Sequence, residues 1–318
     1  LDDLSDAKSG GSNFTGSLLI GHETTGTLND AEYNIAVGLT ALDAITTGDY
    51  NVAVGSNALT VNTTGSHNTA SGRAALLNNT EGDNNTASGK GALYSNTTAD
   101  DNAAFGYHAL YSNSTGTRNI AIGYGAYDAA DTESDNLAIG YDALGGAIAG
   151  GEQNVAIGNY SLDANTSGDD NTALGYASLG ANISGDDNTA VGSMASQNIT
   201  TGSQNTSIGK FSLRLNQGGT GNTAAGYYSL YNNSSGTYNT ALGVQAGDVI
   251  TTGTNNVIIG YLADASANSG ANQIVIGKSA VGGGDNTAVI GNTDIIAWLP
   301  PDDNGVDLGS SSYAFKDT

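Results

Sequence analysis

One spacing constrains this chain more than any other property. A glycine recurs at Gly21, Gly38, Gly55, Gly72, Gly89, Gly106, Gly123, Gly140, Gly158, Gly175, Gly192, Gly209, Gly226, Gly243, Gly260 and Gly277, and fourteen of the fifteen intervals are 17 residues, the exception being the 18 between Gly140 and Gly158. Four positions before the glycine stands asparagine in fourteen successive units: Asn34, Asn51, Asn68, Asn85, Asn102, Asn119, Asn136, Asn154, Asn171, Asn188, Asn205, Asn222, Asn239 and Asn256. Two positions before it stands Ala or Ser in every unit from Ala36 to Ala241. Seventeen residues are too few to enclose a core of their own, so units kept in such register must stack on their neighbours. A disordered Gly/Asn/Ser coil needs no such period.

Within a unit, Asn-x-Ala-x-Gly puts aliphatic or β-branched residues at alternate positions, as in Ile120 and Ile122 or Val155 and Ile157, the period of a strand. A second apolar pair follows, Ala41-Leu42, Ala58-Leu59 or Ala92-Leu93, and then a polar turn such as Thr47-Gly48-Asp49. The expected unit is strand, corner, strand, turn. The fold class is therefore all-β, a parallel β-solenoid or β-roll of about sixteen 17-residue coils over residues 17–292, preceded by a lead-in at 1–16 and followed by a cap or connector at 293–318. Equivalent residues of successive coils lie ~4.8 Å apart in such a stack, so the asparagines form a structural ladder in which one side-chain amide donates to the next. At Trp298-Leu299-Pro300-Pro301 the ladder must stop, because consecutive prolines lack the N–H it requires, and Trp298 is placed to cover the open end.

Composition narrows the function. The chain has no Cys and carries 31 Asp+Glu against 8 Lys+Arg, a formal charge of −23 over 318 residues. A disulfide framework and thiolate metal sites are excluded, and an acidic surface disfavours nucleic acid and anionic lipid. No apolar run approaches the ~20 residues of a membrane helix, so membrane insertion is not expected. The opening Leu1-Asp2-Asp3-Leu4 has neither an initiator Met nor a basic leader and reads as a processed or truncated piece. Each coil offers few aliphatics for burial. The column just before the glycine, from Val37 through Ile122 and Ile157 to Ile276, either meets the Leu column inside one roll or faces another copy of the chain. A homo-oligomer is expected.

The units Asn119-Ile120-Ala121-Ile122-Gly123 and Asn154-Val155-Ala156-Ile157-Gly158 resemble the head repeats of YadA-type trimeric autotransporter adhesins. That resemblance implies a left-handed roll joined as a homotrimer. The longer unit, with its Ala-Leu pair and Thr-Thr-Gly turn, is similar to repeat regions in tail fibres of marine bacteriophages. The segment from Asp307 to Asp317 resembles the stretch that precedes a C-terminal assembly domain in many phage fibres. Together these likenesses imply an extracellular, non-enzymatic fibre shaft of a virion. It would space or present surfaces for a host-cell glycan or protein and join neighbouring tail or fibre proteins, the bacterial cell-surface adhesin being the alternative.

Few residues invite chemistry. His22, His67 and His108 stand at different offsets, and Gly277-Lys278-Ser279 lacks the earlier glycine of a phosphate loop. Glutamates do not recur as a pair on one face, against a polysaccharide-degrading tailspike. No cofactor is expected, with one candidate exception: Asp169, Asp170, Asp186 and Asp187 belong to adjacent coils, and four clustered carboxylates could take calcium. Tyr94, Tyr107, Tyr111, Tyr124, Tyr127 and Tyr141 crowd four consecutive coils, either as a stacked ladder or as a ligand-binding surface. A Thr three before the glycine, at Thr69, Thr86, Thr172, Thr189, Thr206, Thr223 and Thr240, leaves an ice-binding face as a third class.

Overall fold

The structure, a computed structural model, describes residues 7–9, 17–20, 30–146, 151–294, 309–310 and 313–314. The chain is a tandem-repeat β-solenoid. Seventeen three-residue strands, from Leu18–Ile20 to Ala288–Ile290, stack as one parallel sheet, each paired in register with the equivalent residues one coil away, as Ile120↔Leu137 and Ile122↔Ile139. Ala7–Ser9 pairs antiparallel with the first of them and so covers the open edge of the sheet. Gly309–Ser310 pairs antiparallel with Tyr313–Ala314. The proposed capping role of Trp298 falls outside the described residues.

Each coil has one strand, not two. The Ala-Leu segment is a turn in which the residues two and four after the glycine take left-handed backbone, as Asn57 (φ 61°) and Leu59 (φ 49°) do, and a third such residue, His67 (φ 60°), precedes the next ladder Asn. Their function is to aim N–H groups along the stack. Asn57 donates to Leu39 O at 2.9 Å, Leu59 to Ala75 O at 3.1 Å and His67 to Asp49 O at 2.9 Å, so hydrogen bonding between coils continues around the corners. Left-handed backbone costs a non-glycine residue ~1 kcal/mol, about what one hydrogen bond returns. The repeat glycine lies further out, at φ near +140°, where only glycine is at ease.

The core is thin because the sheet points its smallest residue inward. Ala53, Ala121 and Ala173 are fully buried, while Ile120, Ile122 and Leu174 on either side of the central residue are about 40% exposed. The aliphatic column before the glycine therefore faces outward and does not meet the Leu column, which packs on the alanines from the opposite wall. Where Ser replaces the Ala before Leu, its hydroxyl bonds the repeat glycine's carbonyl, as Ser161 to Gly158 O at 2.7 Å, so burial leaves no orphan group.

The Asn ladder exists with a different wiring. The backbone N–H of each Asn donates to the Oδ1 of the Asn one coil before, 2.9 Å for Asn119 to Asn102, while its Nδ2 reaches a turn carbonyl, Glu133 O at 2.8 Å. Direct amide-to-amide bonds accompany this in some coils, as Asn205 Nδ2 to Asn188 Oδ1 at 3.1 Å. Ser17 extends the column at one end and Gln273 at the other.

A second buried Asn column, Asn62, Asn79, Asn96 and Asn113, then Asn165 and Asn182, runs seven residues after the glycine, its Nδ2 groups sharing the same turn carbonyls. Three of its interruptions are compensated in volume. Tyr127 replaces Leu where Ala130 replaces Asn, Ser196 replaces Leu where Ile199 replaces Asn, and Gly247 does so where Ile250 does. The swap at Ala130 leaves Asn113 Oδ1 as a buried acceptor without a donor, because the amide that would serve it is missing. Tyr127→Leu with Ala130→Asn should therefore raise stability by ~1 kcal/mol, whereas Tyr127→Leu alone should lower it by ~2 kcal/mol through the void it leaves. Chemical denaturation of the two variants checks the order.

Candidate binding surface

The corner after the repeat glycine carries most of the aromatic side chains. Tyr107, Tyr124 and Tyr141 occupy the first position of successive coils with ring centroids 4.8 and 5.3 Å apart and planes within 12°. Tyr94 and Tyr111 stack at 4.8 Å on the neighbouring column. The spacing is the strand spacing, so parallel stacking is imposed by the coil repeat. His108 bridges the two columns, 3.9 Å from Tyr107 and 4.4 Å from Tyr111. Burial and the Lys90 charge hold its imidazole below the usual histidine range, so it is neutral at pH 7.

Five of the six candidate tyrosines thus share a corner. Tyr127 does not: it is fully buried in the Leu column, where its hydroxyl accepts Asn136 Nδ2 at 2.6 Å, and burial beside Glu133 pushes its phenol well above the ordinary range. It is a core residue and leaves the ligand-binding set. The volume exchange with Ala130 was the available signal in the sequence.

The acidic turn is likewise structural. Asp169 Oδ1 accepts the Glu152 N–H at 2.8 Å and Asp186 Oδ1 accepts the Asp169 N–H at 3.0 Å, so these two carboxylates cap backbone donors one coil away. Asp170 and Asp187 are left-handed corner residues. Among the described residues no three His, Cys, Asp or Glu side chains converge as a cation site, and the calcium expectation has no geometry behind it.

A separate set, Asp128, Asp142 and Asp163, lies on the aromatic corner with pKa values raised by burial, Asp128 and Asp163 also by the Asp142 charge. Beside them a shallow cleft of about 440 Å³ is lined by Tyr160, Asp163, Tyr176, Gln197 and Asn198. Asp264 stands in the Leu column itself, half-buried, its Oδ1 accepting Val249 N–H at 3.1 Å. Burial, with Asp248 nearby, raises it from 3.8 to about 7. A raised folded-state pKa favours the protonated form, so this contribution to stability is complete below about pH 4 and is lost as pH rises through about 7. Thermal melts from pH 4 to 8 should show a decline that Asp264→Asn flattens; equal slopes in both proteins would refute it.

Among the described residues no helix is long and apolar enough to cross a membrane. No family model matches the chain and no curated protein matches it, so the likeness to adhesin heads and phage fibres rests on the repeat motifs alone.

Proposed function

We propose that the chain is the shaft of an extracellular adhesive fibre, a homotrimer of parallel solenoids joined through their strand faces, that presents its corner columns to a cell surface. One observation carries this. The seventeen strands turn 34 side chains outward, the first and third of each triplet, and none is charged. With 12% of the chain charged, about four (0.12 × 34) would be expected. The face is also long: sixteen intervals of ~4.8 Å give an unbroken charge-free strip of ~77 Å. Identical rods aligned in parallel set like columns side by side, and the repeat's resemblance to trimeric adhesin heads selects three copies.

A phage tail fibre is the setting favoured by the repeat length and the Asp307–Asp317 motif; genes for other tail proteins nearby support it, and a gene for a membrane-barrel anchor supports the bacterial adhesin. Sedimentation equilibrium should give three times 31.7 kDa, about 95 kDa. A folded monomer at micromolar concentration overturns the shaft reading, and thermal hysteresis from that monomer reassigns the outward Thr172–Thr240 column to ice. Release of reducing ends from surface glycans overturns the non-enzymatic reading.

A further inference from the structure

Basic residues are scarce, 8 in 318, and half of them stand beside aromatic rings on one corner of the solenoid. Arg73 and Lys90 rim a cleft of about 260 Å³ floored by Tyr94, Tyr107, His108 and Tyr111, with Lys90 Nζ 5.1 Å from the Tyr107 ring centre. Gly91 makes room for this floor, since a Cβ there would lie 2.9 Å from the His108 ring. A shift of 120 residues, seven coils plus the single inserted residue, carries Lys90 onto Lys210, Tyr107 onto Tyr227, His108 onto Tyr228 and Tyr111 onto Tyr231.

The second cluster shares that lysine and three ring positions with the first and differs around them: Ser193 stands for Arg73, Arg214 for Tyr94 and Phe211 for Gly91. Lys210 Nζ and the Arg214 guanidinium lie 4.7 and 4.9 Å from the Phe211 ring centre, and Tyr228 lies 4.6 Å from Tyr231. Arg214 is held in place by Gln197 Oε1 at 3.0 Å and the Tyr231 hydroxyl at 3.3 Å. A 17-residue period alone does not place cations; each cluster gathers two of them beside aromatic rings, the lysine from the same position of the coil and the arginine from a different one.

We propose that the two clusters are subsites for one acidic polysaccharide, an inference that rests on the adhesive reading. Sugar rings lie along the tyrosine edges and hydroxyls that the stacking leaves free, and a carboxylate or sulfate meets the Lys and Arg side chains. Seven coils separate the subsites by ~34 Å. Between them the same corner carries the rings of Tyr124, Tyr141, Tyr160 and Tyr176 but also Asp142 and Asp163, which repel a strand charged at every residue. The fitting ligand has acidic sugars separated by neutral ones, and nucleic acid does not fit.

Titration calorimetry with hyaluronan, chondroitin sulfate and xanthan oligosaccharides, with neutral dextran and oligothymidylate as controls, tests this. At least one acidic glycan should bind at two sites per chain. Lys210→Gln with Arg214→Gln, or Arg73→Gln with Lys90→Gln, should reduce that to one and weaken binding of the long polymer at least ~10-fold through lost bivalency. All four substitutions should abolish it, with an unchanged melting temperature confirming the fold. Binding to none of the three glycans, wild-type binding by the fourfold variant, or preference for oligothymidylate each overturns the proposal. Adhesion to cells is measured in parallel: a fourfold variant that still adheres while no acidic glycan binds defeats this inference and leaves the adhesive reading standing, whereas a wild-type chain that adheres to nothing defeats the adhesive reading itself.

Discussion

Gly123→Ala will cost the solenoid about 4 kcal/mol or more, enough to split the stack at that coil. Gly123 has φ of 145°, a region reserved for glycine, and a Cβ there would lie 2.7 Å from the carbonyl carbon of Gly140 and closer to its oxygen. Neither obstacle can yield, because the Gly140 backbone is itself tied to Ile122 O by a 2.8 Å hydrogen bond. Two residues on, Gly125→Asn is the matched control: its φ of 59° is the left-handed conformation that Asn57 holds at the same offset, and a new Cβ meets the movable end of Asp142. Denaturation should separate the two variants by at least ~3 kcal/mol. Equal stabilities would mean that the glycine column is not what sets the coil spacing.

Ile122→Glu will release the proposed trimer as monomers while leaving the coil folded. Ile122 is 40% exposed on the charge-free face, so a carboxylate there is solvated in a lone rod. In a three-fold assembly of parallel rods three such charges converge at one level, and desolvating unpaired charges costs several kcal/mol each. The same substitution at the half-buried Asp169, an acid already, Asp169→Glu, should leave the mass unchanged. Sedimentation equilibrium near 32 kDa for Ile122→Glu, with strand content retained by circular dichroism, is the expected result. A trimer of undiminished stability would place the interface on another face.

Because position repeats every 17 residues, columns can be read directly from the sequence, and the Asn and Gly columns announce stacking without any structure. Reading which column faces inward is harder. Alternation in Ile120-Ala121-Ile122 shows that the isoleucines oppose the alanine, but hydrophobicity favours burying the isoleucines, and the reverse holds because the walls lie too close for them. The missing second strand has the same origin. Ala-Leu looks like half of a strand, yet corners in a narrow coil need left-handed residues to keep N–H groups along the axis, and Leu42, Leu59 and Leu76 supply them against their own preference.

Tyr127 shows what column reading lacks. By composition it belongs with the other tyrosines, and only the packing of the fourth and seventh positions after glycine against each other explains why Tyr127 accompanies Ala130. Likewise Ser196 and Ser207, isolated polar replacements in two apolar columns, share a 2.8 Å hydrogen bond inside the core that pairs them across coils. The sequence by itself determined the period, the stacking, the parallel register and the Asn ladder, since each follows from identical residues recurring at one fixed interval. The tertiary structure alone decided which face is core and which is surface, and which side chains exchange volume, because those depend on the distance between the walls of one coil and no spacing along the chain encodes it.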